Sequence, residues 1–207
     1  MAGPTCEQCG ARLENSLAVC PSCHALQPFD PSLSFFAVLG VAEDFCLDPK
    51  ALRDRALNLQ QALHPDRFAA AAGGLRRRSL EWSTRVNEAL AVLGDPLRRG
   101  GYLFQERFGS VPPGEDQGTI RDPELLLRQM ECRERLEEAV SGRDREMLDG
   151  LRAEVLAGER HLEAFLASAF AGPEENQAGI GRALLEWQYL RRLRTEIDRY
   201  EDQWDFA

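Results

Sequence analysis

The sequence predicts a mostly α-helical chain in three parts: a small N-terminal metal-binding module, a helical hairpin and a C-terminal three-helix bundle. Three observations predict it. Two C-x-x-C pairs, Cys6/Cys9 and Cys20/Cys23, crowd the first 30 of 207 residues. Beyond them, apolar residues recur at helical rather than alternating spacing. Prolines and glycines fall where the helical runs should start and stop. Hydrophobic content of 43% and charged content of 29% suit a folded chain with a real core. No run of 18 apolar residues occurs, so no membrane-spanning helix is expected.

Residues 1–30 read as a unit of their own. Each C-x-x-C presents two thiols from one tight turn, and Gly10 frees the backbone to turn its amides toward sulfur. Two such turns facing each other make a closed tetrahedral S₄ site from Cys6, Cys9, Cys20 and Cys23, which suits one structural zinc ion. A rubredoxin-like iron site would use the same ligands. Cys20 to His24 also fits C-x-x-C-H, the c-type haem attachment pattern. That chemistry needs export, no export signal is visible, and Cys6 and Cys9 would be left without a role.

Two prolines in Gln27-Pro28-Phe29-Asp30-Pro31 predict an extended linker. The second part, 33–108, begins with a short apolar helix, Ser34 to Leu39, stopped by Gly40. Asp48-Pro49 is an N-cap followed by proline at the first helical position. Leu52, Ala56, Leu59 and Leu63 then form one buried stripe, with Arg53 and Arg55 off it and exposed. Pro65 ends this helix, so His64 and Asp66 sit on a hairpin turn, and the proline between them should keep the imidazole from reaching the carboxylate. After Ala69–Gly74, a helix from Leu75 to Leu93 is expected to bury Leu80, Val86, Leu90 and Leu93. Gly94-Asp95-Pro96 closes it, and Leu97 to Phe108 forms a last short helix carrying Tyr102, Leu103 and Phe104.

Charge divides the chain. Lys50 to Arg107 holds eleven Lys/Arg against six Asp/Glu, a balance of +5, within a total of −9. A basic hairpin for an acidic partner surface and an acidic remainder follow from this, and nucleic acid is a poor partner for so acidic a chain.

The third part, 120–207, follows the polar loop from Val111 to Asp122. Asp122-Pro123-Glu124 repeats the N-cap, proline and acidic first turn of a helix that runs to about Ala139. Leu125, Cys132, Leu136 and Ala139 share one face and should be core. Leu126, Leu127 and Met130 make a second apolar patch, continued by Glu131, Glu134 and Glu138. This reads either as one wide core stripe or as an exposed face for a partner, one sticky face too many for a helix in a three-helix bundle. Helices from about Arg143 to Phe170 and Asn176 to Trp204 complete the bundle, joined at Gly172-Pro173. Trp82, Trp187 and Trp204 read as packing residues, Tyr189 stays open between core and contact residue, and Cys46, Cys132 and His161 read as residues without chemistry.

The basic helix ending in Leu63-His64-Pro65-Asp66-Arg67-Phe68, together with Asn87-Glu88-Ala89, Asp95-Pro96-Leu97-Arg98-Arg99 and Gly101-Tyr102-Leu103-Phe104, resembles a J domain of the HscB family. HscB proteins are J-type co-chaperones of iron–sulfur cluster assembly. Animal members carry similar cysteine pairs, ending in a run like Ala25-Leu26-Gln27. The resemblance covers essentially the whole chain and departs from the family at Leu90, where an aromatic residue is usual. It implies that the hairpin stimulates a DnaK/HscA-class ATPase through His64, Pro65, Asp66, Arg53, Arg55 and Arg67. It also implies that Leu126, Leu127, Met130, Glu131, Glu134, Glu138 and Tyr189 bind an IscU-type scaffold protein.

An alternative from the residues alone is an enzyme: a thiol oxidoreductase using one C-x-x-C, or a metal-dependent hydrolase using His64 and Asp66. No βαβ pattern surrounds the cysteines, and the chain lacks G-x-x-x-x-G-K-[ST], G-x-S-x-G and H-E-x-x-H. Cysteines in tight pairs point to a reducing compartment. With no leader visible the cytoplasm is expected, or the mitochondrial matrix if the N-terminus is incomplete.

Overall fold

A computed structural model describes residues 5–13, 18–68, 73–112, 122–172 and 176–205. The expected turn at 69–72, most of the loop before Asp122, and Pro173 lie outside these residues. Among the described residues there are seven α-helices and two isolated β-bridges. Two compact units form, residues 1–99 and 100–207.

In the first unit, α1 (Phe35–Leu39) is capped by the Ser34 side chain, which accepts from the Ala37 amide, and stops at Gly40 with φ 63°. That left-handed φ is why glycine stands there. α2 (Pro49–Leu63) starts at Asp48, whose carboxylate accepts from the Lys50 amide. Leu52, Ala56 and Leu63 are buried as expected, and Leu59 only partly. α2 gives way at His64 to a 3₁₀ turn, Pro65–Phe68. Proline has no N–H to continue the ladder, so the last carbonyls of α2 need other donors. The Leu63 carbonyl accepts the hydroxyls of Ser79 and Ser83 on α3 (Gly73–Leu93). Gln60 Nε2 reaches Asn87 Oδ1 at 2.7 Å lower on the same interface.

This bonding sets the rotation of α3 and corrects one expectation. Leu80 is 49% exposed, while Ser79, Trp82, Val86, Ala89 and Leu93 face inward. Trp82 is fully buried and fills the position that a leucine stripe through residue 80 would have left to smaller groups. The expected linker is not a free spacer either. Phe29 meets Trp82 edge-on with ring centroids 5.3 Å apart, and the Gln27 carbonyl accepts the Trp82 indole N–H at 3.1 Å. Arg85 donates to the Leu33 carbonyl at 3.0 Å and lies over the Phe35 ring at 4.2 Å.

α4 (Pro96–Phe108) opens with the Asp95 side chain accepting from the Arg98 amide. Leu103 and Phe104 are buried and Tyr102 is half-buried. In the second unit α5 (Pro123–Gly142), α6 (Arg145–Ala171) and α7 (Gln177–Asp205) pack mutually. Asp122 caps α5 by accepting from the Glu124 and Leu125 amides. α6 begins two residues later than expected, because Arg143 ends α5 in the left-handed region at φ 48° and Asp144 caps α6 by accepting from Met147. Leu136, Ala139, Leu148, Leu151, Val155, Leu193 and Ile197 form the bundle core, with Cys132 and Tyr189 partly buried against it.

Replacing Ser79 with alanine takes one of two hydroxyls from the buried Leu63 carbonyl, and urea unfolding is expected to show a loss of about 1–2 kcal/mol. Leu80→Ser, in contrast, should change stability by no more than about 0.5 kcal/mol, as a surface position does.

Candidate functional site

The four cysteines come together. Their Sγ atoms all lie within 4.8 Å of one another, with Cys6–Cys23 and Cys9–Cys20 each 3.7 Å apart. A tetrahedron with metal–sulfur bonds of about 2.3 Å has edges of roughly 3.8 Å, so these spacings fit a closed S₄ centre. The two knuckles repeat at an offset of fourteen residues. Cys6 N donates to Ala11 O and Gly10 N to Cys6 O, as Cys20 N does to Ala25 O and His24 N to Cys20 O. Isolated bridges Thr5–Arg12 and Val19–Leu26 close the two turns. Gly10 (φ 73°) and His24 (φ 58°) occupy equivalent left-handed positions, so His24 is a backbone element of the second knuckle and is not among the clustered ligands.

The amides of Gln8 and Ser22 point at Cys6 Sγ and Cys20 Sγ, each at 3.4 Å. Burial raises the Cys6 thiol, but the Cys9 and Gln8 amides and the neighbouring thiols outweigh it and bring it down to about 6. Cys20 is lowered too, chiefly by the Cys23 amide. Cys23 is favoured as a thiolate by the Ala25 amide, yet burial and the Cys9, Cys20 and Cys6 sulfurs push it up to about 12. Four thiols this close cannot all carry charge unaided; a divalent cation would relieve the repulsion. Sequence reasoning missed Gln27, buried at 4% exposure, whose Nε2 donates to Cys6 Sγ at 3.3 Å. The Ala25-Leu26-Gln27 run was the available signal.

The hairpin tip is open. The side chains of His64 and Asp66 are 60% and 89% exposed. Contrary to expectation, the proline does not hold them apart. The 3₁₀ turn folds Asp66 back, placing His64 Nδ1 3.6 Å from Asp66 Oδ2 and 3.3 Å from the Asp66 amide, which donates to it. Nδ1 is thereby occupied by a backbone donor, which fixes the ring against the turn. Arg53 is exposed, as expected. Arg55 is exposed as a residue, but its guanidinium donates to the Gly40 and Leu39 carbonyls and so caps the end of α1. Arg67 reaches the Gln61 carbonyl at 3.5 Å. The tip and its flanking cations thus have structural duties as well as exposure.

On the bundle, Leu126, Leu127 and Met130 are 40%, 57% and 59% exposed, and Glu131, Glu134 and Glu138 are exposed beside them. A recess of about 490 Å³ between α5 and α7 is lined by Leu126, Met130, Glu134 and Tyr189 from the sequence reading. Leu127, Glu131 and Glu138 stand outside it, on the adjoining strip of α5. Arg133 and Arg192, which sequence reasoning passed over, also line it. Arg133 spans the two helices by pairing with Glu196 at 2.7 Å. Tyr189 is half-buried, its hydroxyl donating to the Gln129 carbonyl at 2.8 Å. Burial, then the nearby Cys132, pushes its phenol up to about 12.

The chain thus combines an α-helical hairpin with an exposed His-Pro-Asp turn, a three-helix bundle and a four-cysteine knuckle pair. Comparison with known proteins identifies its family. Residues 121–198 match the HscB C-terminal oligomerisation domain. The co-chaperone protein HscB homologue of Paraburkholderia xenovorans is 35% identical over 164 residues, 79% of this chain and 91% of its own. That of Paraburkholderia phymatum is 37% identical over 165 residues, with the same coverage. The crystal structure of human co-chaperone HscB superposes with a TM-score of 0.80 at 27% identity, covering 96% of this chain and 98% of its own. HscB from Vibrio cholerae gives 0.70 at 30% identity, covering 83% and 99%. The chain belongs to the HscB co-chaperone family.

With metal bound, a thiol reagent should modify exposed Cys46 at once and the four knuckle cysteines only after a chelator is added, read by mass spectrometry of the labelled chain. Ultraviolet titration should place the Tyr189 phenol near 12. Because the folded value lies above the unfolded value of about 10, its contribution to stability is intact below pH 10 and lost as pH rises through 12.

Proposed function

We propose that this protein is a non-enzymatic adaptor that brings an IscU-type iron–sulfur scaffold to a DnaK/HscA-class ATPase. The observation that carries this reading is the exposed, turn-locked His64-Pro65-Asp66 tip on a chain of the HscB family. Among the described residues, the side chains placed close enough to hold a metal ion are the four knuckle cysteines, with none from that tip. An imidazole and a carboxylate exposed on a backbone turn are suited to a protein partner, where a charged group can form or break a contact. Arg53 adds an exposed positive charge on α2, and Arg67 another beside the tip.

The bundle supplies the second surface. Leu126, Leu127 and Met130 are apolar anchors in the open, and Glu131, Glu134 and Glu138 supply negative charge around them. None of these three carboxylates is in an ion pair with a described residue, whereas Arg128, Arg133 and Arg135 are taken up by Glu186, Glu196 and Glu154. The free acids are thus available to steer a basic partner. Tyr189 forms the wall of the recess. The four cysteines hold one structural zinc ion in this reading; iron would take the same ligands. No helix among the described residues is long and apolar enough to cross a membrane. In this reading the protein works in a reducing compartment, the cytoplasm or mitochondrial matrix, where paired thiols stay available to a metal.

Asp66→Asn should leave helix content unchanged and abolish stimulation of the chaperone's ATP turnover; undiminished stimulation would remove the tip from the mechanism. Leu126→Ala with Met130→Ala should weaken scaffold binding by about ten-fold or more in calorimetry, in keeping with loss of central apolar anchors, while sparing scaffold-free ATPase stimulation.

A further inference from the structure

Gln27 belongs to neither docking surface, yet all its polar atoms are engaged. Nε2 donates to Cys6 Sγ at 3.3 Å and to the Ala25 carbonyl at 2.8 Å, while Oε1 accepts from the Glu7 amide at 3.2 Å. Its own amide donates to the Ala18 carbonyl at 2.8 Å, and its carbonyl accepts from Trp82 Nε1 at 3.1 Å. One side chain therefore touches both cysteine knuckles, and the same residue's backbone touches the middle of α3. Within a turn of Trp82, Ser79 and Ser83 hold the Leu63 carbonyl, the residue before His64.

We propose that Gln27 is a positioning residue that couples occupation of the four-cysteine centre to the seating of α3, and through α3 to the His-Pro-Asp tip. This rests on the reading that the centre holds a metal ion. A bound ion fixes Cys6 Sγ in place as the acceptor for the Gln27 N–H. The knuckles bury only a few small side chains, Cys6, Leu13, Ala18, Cys20 and Leu26, too little apolar surface to order two turns, so the ion is what keeps them together. When it leaves, the anchors of Gln27 on both turns part. The Trp82 indole then bonds to a carbonyl whose position nothing else defines so closely, and the Phe29 edge contact loosens with it.

The test uses the full-length, zinc-loaded protein. Zinc content is measured first, then hydrogen exchange at the three tryptophan indole N–H groups by NMR, before and after a chelator. In the wild type, chelation should accelerate exchange at Trp82 by about ten-fold or more and leave Trp187, whose indole donates to Glu159, unchanged. Zinc-loaded Gln27→Met should already exchange fast at Trp82, with chelation adding less than about two-fold. Gln27→Glu, which keeps the acceptor for Glu7 and loses the donor to Cys6, should behave the same way. A wild-type response in both variants overturns the coupling. So does removal of zinc from the wild type with Trp82 unmoved, a result that stands even if neither variant folds. A chain that binds neither zinc nor iron overturns the metal reading and the coupling with it, and the metal analysis reveals that before any exchange is measured.

Discussion

The stop that Pro65 imposes on α2 is the constraint from which the first unit follows. A helix that ends in proline leaves carbonyls without donors, and in a buried setting each unpaired one costs about 1–3 kcal/mol. The chain satisfies the Leu63 carbonyl from the side, with the Ser79 and Ser83 hydroxyls of α3. That requirement decides which face of α3 turns inward, brings Trp82 into the core and puts Leu80 in solvent. It also holds the start of the 3₁₀ turn from behind, so that His64 and Asp66 project from a supported tip although neither is buried.

The N-terminal segment solves a different problem. So few residues cannot bury enough apolar surface to fold unaided. Its order comes from two duplicated turns whose sulfurs converge, from left-handed φ at Gly10 and His24, and from Gln27, which laces the turns to each other and to Trp82. The knuckles and the hairpin consequently share one compact unit.

In the bundle, the sorting of charge on α5 separates structure from surface. Beyond its first turn, where Glu124 pairs with Arg182 of α7, arginines make its interhelical pairs: Arg128 and Arg133 to α7, Arg135 to α6. Such exposed pairs are individually worth little, but they leave Glu131, Glu134 and Glu138 uncommitted beside three exposed apolar side chains. Tyr189 shows how one residue can serve core and surface together: its ring packs against the bundle core and lines the recess while its hydroxyl secures the Gln129 carbonyl.

Features that depend on neighbours a few residues away were legible in the sequence. Asp48-Pro49 and Asp122-Pro123 start helices, Gly40 stops one, Pro65 breaks one, and the spacing within Cys6–Cys9 and Cys20–Cys23 makes two knuckles, because caps, φ limits and thiol reach are local matters. The rotation of α3, the use of Arg55 as a cap on α1, the approach of His64 to Asp66 and the place of Gln27 between sulfur and indole were not legible there. Each is set by a donor meeting an acceptor from another element or across a folded turn, and only the assembled chain brings such partners within a hydrogen bond's length.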